Sequence, residues 1–325
     1  MLAAEGSMTR SNSEAVIELR GLTKDYQTGF FKTASVRALD NLDLTVYRGE
    51  IFGFLGPNGA GKTTTLKLLM NLIFPTAGSA HILGHPVEDT ATRSKIGYLP
   101  ENPYFYDYLS GRELLYYTAA LFGIDKSQAK RRADELLEVV GLSSEQANRQ
   151  LRKYSKGMLQ RIGIAQALVN DPDVVFMDEP MSGLDPFGRR EIRDLLLSLG
   201  ERSKTVFFSS HILSDVETLC DRAAILNQGK LVGCGTIDEL AGGRQSTLEV
   251  IATGIEQAAI SALSETVPRV VSVTPTPRGV HIILGDETGL DSALSFIRSR
   301  GGKLVSVNPS RTSLEDAFFN VERRQ

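Results

Sequence analysis

The chain has 325 residues, 42% hydrophobic and 23% charged, enough to bury a large core and to form two domains. Its 36 basic and 39 acidic side chains leave a formal charge of -3, which supplies no overall field to hold a polyanion and disfavours nucleic acid as the partner. Cys220 and Cys234 are too few for a disulfide framework and lack the paired spacing of a zinc site.

The first stretch, 1–15, is polar, has no signal-peptide core and reads as a disordered tail. No apolar run approaches the roughly 20 residues of a membrane-spanning helix, so membrane contact is expected only through a partner. Val16 to Leu19 and Leu42 to Val46 alternate like exposed-edge strands, whereas Ile51 to Leu55 is continuously apolar, like a buried one. From about Pro103 to Asn170 the spacing turns helical, predicting an inserted helical subdomain. Strand character returns at Val174 to Met177, Thr205 to Ser209 and Ala223 to Leu226, with a helix over Arg189 to Leu199. This alternation predicts an α/β core on a largely parallel sheet.

After Ala241-Gly242-Gly243 the composition shifts. Strands are expected at Leu248 to Ile251, Val270 to Val273, Val280 to Leu284 and Leu304 to Val307, with helices at Ile255 to Leu263 and Leu290 to Ile297. The order βαββαβ predicts a small ferredoxin-like α+β domain over 246–325. A stripe of Leu314, Ala317, Phe318 and Val321 marks a final helix. This segment offers no phosphate loop, carboxylate pair or metal spacing, so it is expected to regulate or stabilise a dimer and not to catalyse.

Two motifs carry chemistry. Gly56-Pro57-Asn58-Gly59-Ala60-Gly61-Lys62-Thr63 spells G-x-x-x-x-G-K-T, after the Ile51 strand and ahead of a helix running on through Thr64. Such a loop curls backbone N–H groups around phosphate oxygens, with the helix N-terminus adding positive potential. Lys62 is placed for the β- and γ-phosphates of ATP or GTP, and Thr63 for Mg²⁺. Further on, the strand Val174 to Met177 ends in Asp178 and Glu179. Successive strand residues point to opposite sides, so Asp178 can hold the Mg²⁺ hydration shell while Glu179 orients or deprotonates the attacking water.

With these motifs in order, Val16 to Leu240 resembles the ATP-binding cassette (ABC) family. Tyr154-Ser155-Lys156-Gly157-Met158 stands where that family has its LSGGQ signature, and Ser182-Gly183-Leu184-Asp185 looks like its D-loop. His211 looks like the switch histidine, able to sense a γ-phosphate. Tyr26 sits where the family places an aromatic under adenine, with Phe30-Phe31 as rivals and a buried core ring as the plainer reading. The resemblance implies a P-loop NTPase cassette over 16–243, with a mixed, largely parallel sheet and a helical subdomain at about 103–170. It also implies ATP and Mg²⁺ as ligands, with Ser155, Gly157 and Asp185 joining the nucleotide site.

Three positions depart from the family pattern: Lys156, Met158, and Glu101 in place of the usual glutamine. Glu101 is acceptor-only, so it can meet Mg²⁺ or water but cannot donate. Lys156 adds charge near a γ-phosphate if it turns inward. These variants and the C-terminal segment look most like the ATPase subunits of ABC-2-type exporters. That placement implies a separate membrane permease, two like or unlike cassettes packed head to tail, and a cytoplasmic position on the inner face of the membrane. The cluster Tyr104-Phe105-Tyr106-Asp107-Tyr108 reads either as core of the helical subdomain or as a groove for the permease. A mechanical DNA-repair ATPase would carry a long coiled coil, and a translation-associated protein two cassettes; neither feature is present. Glu179 argues against a non-hydrolysing scaffold.

Overall fold

The computed structural model describes residues 14–28, 34–241, 247–255, 263, 266–276 and 279–310. Outside them lie most of the expected tail, Phe30-Phe31, most of the Ile255 to Leu263 helix and the stripe from Leu314 to Val321. The chain divides into two compact units, Met1–Gly235 and Thr236–Gln325.

The first unit holds two sheets. One is antiparallel, in the order β2-β1-β4-β5, from β1 (Ala15–Thr28), β2 (Ala34–Tyr47), β4 (Ala77–Ile82) and β5 (His85–Pro86). The expectation of an exposed edge at Val16 to Leu19 is corrected: β1 lies between β2 and β4, with Val16, Ile17 and Leu19 buried. The other sheet has six strands in the order β10-β9-β3-β8-β7-β6. These are β3 (Ile51–Leu55), β6 (Ile96–Leu99), β7 (Val174–Met177), β8 (Thr205–Ser210), β9 (Arg222–Asn227) and β10 (Lys230–Thr236). The pairs β6 with β7, β7 with β8, β8 with β3 and β3 with β9 are parallel. β9 turns into β10 through Gln228 and Gly229, both at positive φ.

Every residue of β3, β7 and β8 is buried, which is why β3 and β7 read as unbroken apolar runs and β8 carries Val206, Phe207 and Phe208 in succession instead of an alternation. Phe207 sits at the centre, its ring 5.6 Å from Phe52, 5.3 Å from Phe54 and 5.7 Å from Phe176. The helix α1 (Lys62–Leu69) follows β3. Between β6 and β7 come α2 (Gly111–Leu121), α3 (Lys126–Val139), α4 (Ser144–Ala147) and α5 (Lys156–Ala167). Their starts are set by side-chain caps: Ser110 with Glu113 closes a capping box on α2, and Asp125 caps α3. The helices α6 (Pro186–Glu201) and α7 (Leu213–Leu219) flank β8 in sequence.

The second unit begins with α8 (Ile237–Leu240) and builds one antiparallel sheet. Its strands are β11 (Thr247–Thr253), β12 (Val270–Thr276), β13 (Gly279–Leu284) and β14 (Lys303–Ser310), in the order β12-β13-β11-β14. That is the strand order of a ferredoxin-like βαββαβ unit. The helix α9 (Leu290–Ser299) lays Ala293, Phe296 and Ile297 into a core with Val250, Ala252, Val280 and Ile282.

Candidate nucleotide site

The loop from Gly56 to Gly61 leaves a fully buried strand and enters α1 through Gly61, whose φ is +108°. A Cβ there would stand 2.6 Å from the Ala38 carbonyl, so only glycine lets this turn close. No side chain caps α1, and its first N–H groups are left to a ligand. Lys62 is buried and folds back over the loop, its Nζ donating to the Gly56 carbonyl at 2.7 Å and the Pro57 carbonyl at 3.3 Å.

The two carboxylates after β7 part as expected, but not by strand alternation. Asp178 turns down into the protein, where Ser209 Oγ donates to its Oδ1 at 2.6 Å. The same Ser209 Oγ accepts from the Glu179 N–H at 3.0 Å. Glu179 has φ +49°, in the left-handed region, and this turn aims its buried carboxylate at Lys62 and His211. Its Oε2 lies 2.8 Å from His211 Nδ1. Its Oε1 lies 3.3 Å from Lys62 Nζ but receives no hydrogen bond, an unsatisfied buried acceptor facing the loop.

A cavity of about 430 Å³ brings Asn58, Gly59, Gly61, Lys62, Thr63 and Thr64 together with Glu101, Glu179 and His211. Ala38 lines it too, as does Ser182, the first residue of the D-loop segment, and Ser209 braces Asp178 and Glu179; the sequence reading assigned no role to Ala38 or Ser209. Neither of these two belongs to a loop motif of its own, so only the register of β2 and the packing of β8 against β7 reveal them.

Ser155 and Gly157 lie elsewhere, in a second cavity of about 450 Å³ with Lys156, Met158, Gly183, Leu184 and Asp185. Ser155 Oγ caps α5, accepting from the Met158 N–H at 3.3 Å, and Asp185 caps α6, accepting from the Gly188 N–H at 2.7 Å. Lys156 extends over Gly183: a Cβ at that glycine would come within 2.0 Å of its Nζ. The phosphate-loop residues and the signature residues thus form two separate groups on one chain.

Tyr26 lies opposite Val36 near the end of the β1–β2 pair, 37% exposed as a residue and with Lys24 Nζ 5.3 Å from its ring centroid. The plainer reading of Tyr26 as a buried core ring is therefore corrected, and the ring does not line the loop cavity. Glu101 is exposed just beyond β6, at the cavity mouth.

A family model described as "ABC transporter" matches residues 39–182. An uncharacterized ABC transporter ATP-binding protein of Nostoc sp. is 46% identical over 98% of this chain and 93% of its own length. This chain belongs to the ABC transporter ATP-binding family. The bacitracin transport ATP-binding protein BcrA of Bacillus licheniformis is 42% identical over 72% of this chain and 74% of its own. The linearmycin resistance ATP-binding protein LnrL of Bacillus subtilis is 32% identical over 87% and 93%. Among solved structures, the cassette MJ0796, a dimer in a post-hydrolysis state bound to ADP and Pi, superposes with a TM-score of 0.62 at 28% identity, covering 68% of this chain and 98% of that one. The chain is accordingly an ATP-binding ATPase subunit of an ABC transporter, a class of subunit that dimerises and pairs with transmembrane permeases.

Proposed function

We propose that this ATPase drives a separate ABC-2-type membrane permease as an exporter, two cassettes meeting head to tail around two ATP molecules. The observation that carries the chemistry is the Glu179 carboxylate, held by His211 on one oxygen and facing the loop cavity and the Lys62 ammonium, 3.3 Å away, on the other. Lys62 moves from the loop carbonyls to the β- and γ-phosphates, where α1 and the loop N–H groups also point. Glu179 Oε1 then accepts a proton from the attacking water or aims it, and His211 fixes the carboxylate's orientation. Ser155 and Gly157, on their own cavity, grip the γ-phosphate held by the other cassette's loop.

Mg²⁺ suits the residues present. Among the described residues no cluster of three His, Cys, Asp or Glu forms a metal cage. Thr63 lines the cavity, and Asp178, one residue before Glu179 in the chain, is buried against Ser209; so few protein groups suit an ion held mainly by phosphates and water. When bound, the ion neutralises charge on the phosphate oxygens. Glu101 faces the same space and can accept from its water shell.

The exporter reading is supported by the bacitracin-transport and linearmycin-resistance relatives. A permease-facing surface is supported by the rings after Glu101: Tyr104 is 94% exposed, Tyr108 61% and Tyr106 48%, and Tyr106 stacks edge-on against Tyr117 at 5.9 Å. The beginning of that run therefore faces outward, beside a cavity of about 340 Å³ lined by Pro103, Phe105 and Phe122. Among the described residues no helix is long and apolar enough to cross a membrane; in this reading the permease supplies the attachment to the inner face. A tagged chain should co-purify from membranes with a multi-span protein, and Tyr104→Ala with Tyr108→Ala should release it without loss of ATP binding. Recovery of the unmodified chain with no membrane protein, or with a soluble complex, would overturn the transport reading.

A further inference from the structure

The ion pairs that tie α5, α6 and α7 together have no part in the chemistry above. Arg161 of α5, which lines the signature cavity, pairs with Glu191 of α6. On the same helix Arg193 reaches Asp215 of α7, its Nη2 at 3.1 Å and Nε at 3.2 Å, both on Oδ1. Asp215 is wholly buried, and its Oδ2 receives no hydrogen bond. A buried carboxylate held by a single guanidinium is weak evidence of a stabilising device, since apolar residues often serve as well. An unsatisfied oxygen of this kind calls for another explanation.

Its position supplies one. The helix α6 starts at Asp185 in the signature cavity, and α7 starts two residues after His211 in the loop cavity. Arg193 and Asp215 therefore join the helix leaving one cavity to the helix leaving the other, and Arg161 with Glu191 extends the chain of ties back to the signature helix. His211 sits on the short link between β8 and α7, so a shift or rotation of α7 moves the imidazole against Glu179 Oε2.

We infer that Arg193 and Asp215 are positioning residues for His211, and that the two ion pairs carry the state of the signature cavity across α6 to the Glu179–His211 pair of the same chain. This rests on the reading of His211 as the group that orients Glu179. Each ATP site of a dimer would then report, through the signature surface facing it, on the water-activating pair of the opposite site. Such coupling between sites has a typical strength of about 5- to 150-fold.

ATP turnover of the full chain and its variants tests the inference. Asp215→Asn should lower kcat about ten-fold, within that range, while KM for ATP stays close to that of the parent. In a His211→Ala background the same change should do nothing further, because residues acting as a unit are non-additive. A mere fold-stabilising pair would instead multiply its loss onto that of His211→Ala, and this result would sink the proposal. If Asp215→Asn folds poorly, Arg193→Gln takes its place with Arg193→Lys as the rescue, since the arginine lies partly at the surface. Arg161→Gln should likewise be non-additive with Asp215→Asn although the two residues do not touch; independent losses would confine the inference to Arg193 and Asp215. Should His211→Ala leave kcat intact, the role of His211 falls and this inference with it, whereas a loss there with none at Asp215 removes the tie alone.

Discussion

Glu179 spends backbone strain on its orientation. A non-glycine residue in the left-handed region is disfavoured by about 1–2 kcal/mol, and here the hydrogen bond from its N–H to Ser209 helps to hold it. Glu179→Gln keeps that turn but removes the proton acceptor. Turnover should fall by roughly 10² to 10⁴ while ATP affinity is kept, as measured by phosphate release and by nucleotide titration. Ser209→Ala removes both the acceptor for that N–H and the donor to Asp178, and should lower kcat and stability together, the latter by about 1–3 kcal/mol. Tyr26→Ala should weaken ATP binding by about 1 kcal/mol, an aromatic-contact magnitude, in a calorimetric titration. Unchanged affinity would pass the adenine contact to another residue. The thiols also separate at this scale: burial first, then the carboxylates of Asp221 and Asp215, push the Cys220 thiol up, while Cys234 is exposed. Iodoacetamide at mildly alkaline pH should therefore modify Cys234 first, with Cys220 slower by on the order of ten-fold or more.

At the scale of elements, the parallel sheet and its covering helices meet at very short distances. The helix α7 lies on β3 at Gly53, where a Cβ would come within 2.7 Å of Cys220 Sγ and 2.8 Å of Val216 Cγ1. Gly53→Ala should overpack this contact, destabilising the chain by about 1–3 kcal/mol in a urea titration. Because α7 follows His211 directly, the same change should also lower turnover at saturating ATP. The mirror substitution Cys220→Ala opens space beside Gly53, and combining the two should recover part of the stability. Purely additive losses in that pair of variants would show that the sulfur is not the obstruction.

At the scale of the whole molecule, the loop cavity and the signature cavity lie in the first unit, and both groups of site residues fall before Gly235. The second unit has its own core, and its sequence spells no phosphate loop. A chain ended after Gly243 should keep ATP affinity within about two-fold, a change of under half a kcal/mol, yet dimerise less well by light scattering. Loss of ATP binding by a truncated chain whose circular dichroism remains native would assign the second unit to the nucleotide site.

The sequence by itself determined the buried strands, the phosphate loop and the order of motifs, because each is written in local patterns: unbroken apolar runs, glycine spacing, and acids at a strand end. It also determined the four strands of the second unit and the helix over Leu290–Ser299, since strand and helix periodicities differ. What it left undecided are properties of contact. The strand Ile96–Leu99 is short and interrupted by Gly97, so only pairing with β7 defines it. Whether β1 was edge or interior depended on β4, a segment of small residues with no apolar alternation. Motif spacing named Glu179 and His211, yet their 2.8 Å approach required the left-handed turn and the placement of α7. The hydroxyl of Ser209, the tie from Arg193 to Asp215 and the reach of Lys156 over Gly183 join residues far apart in the chain, and only the packed sheet and helices bring them together.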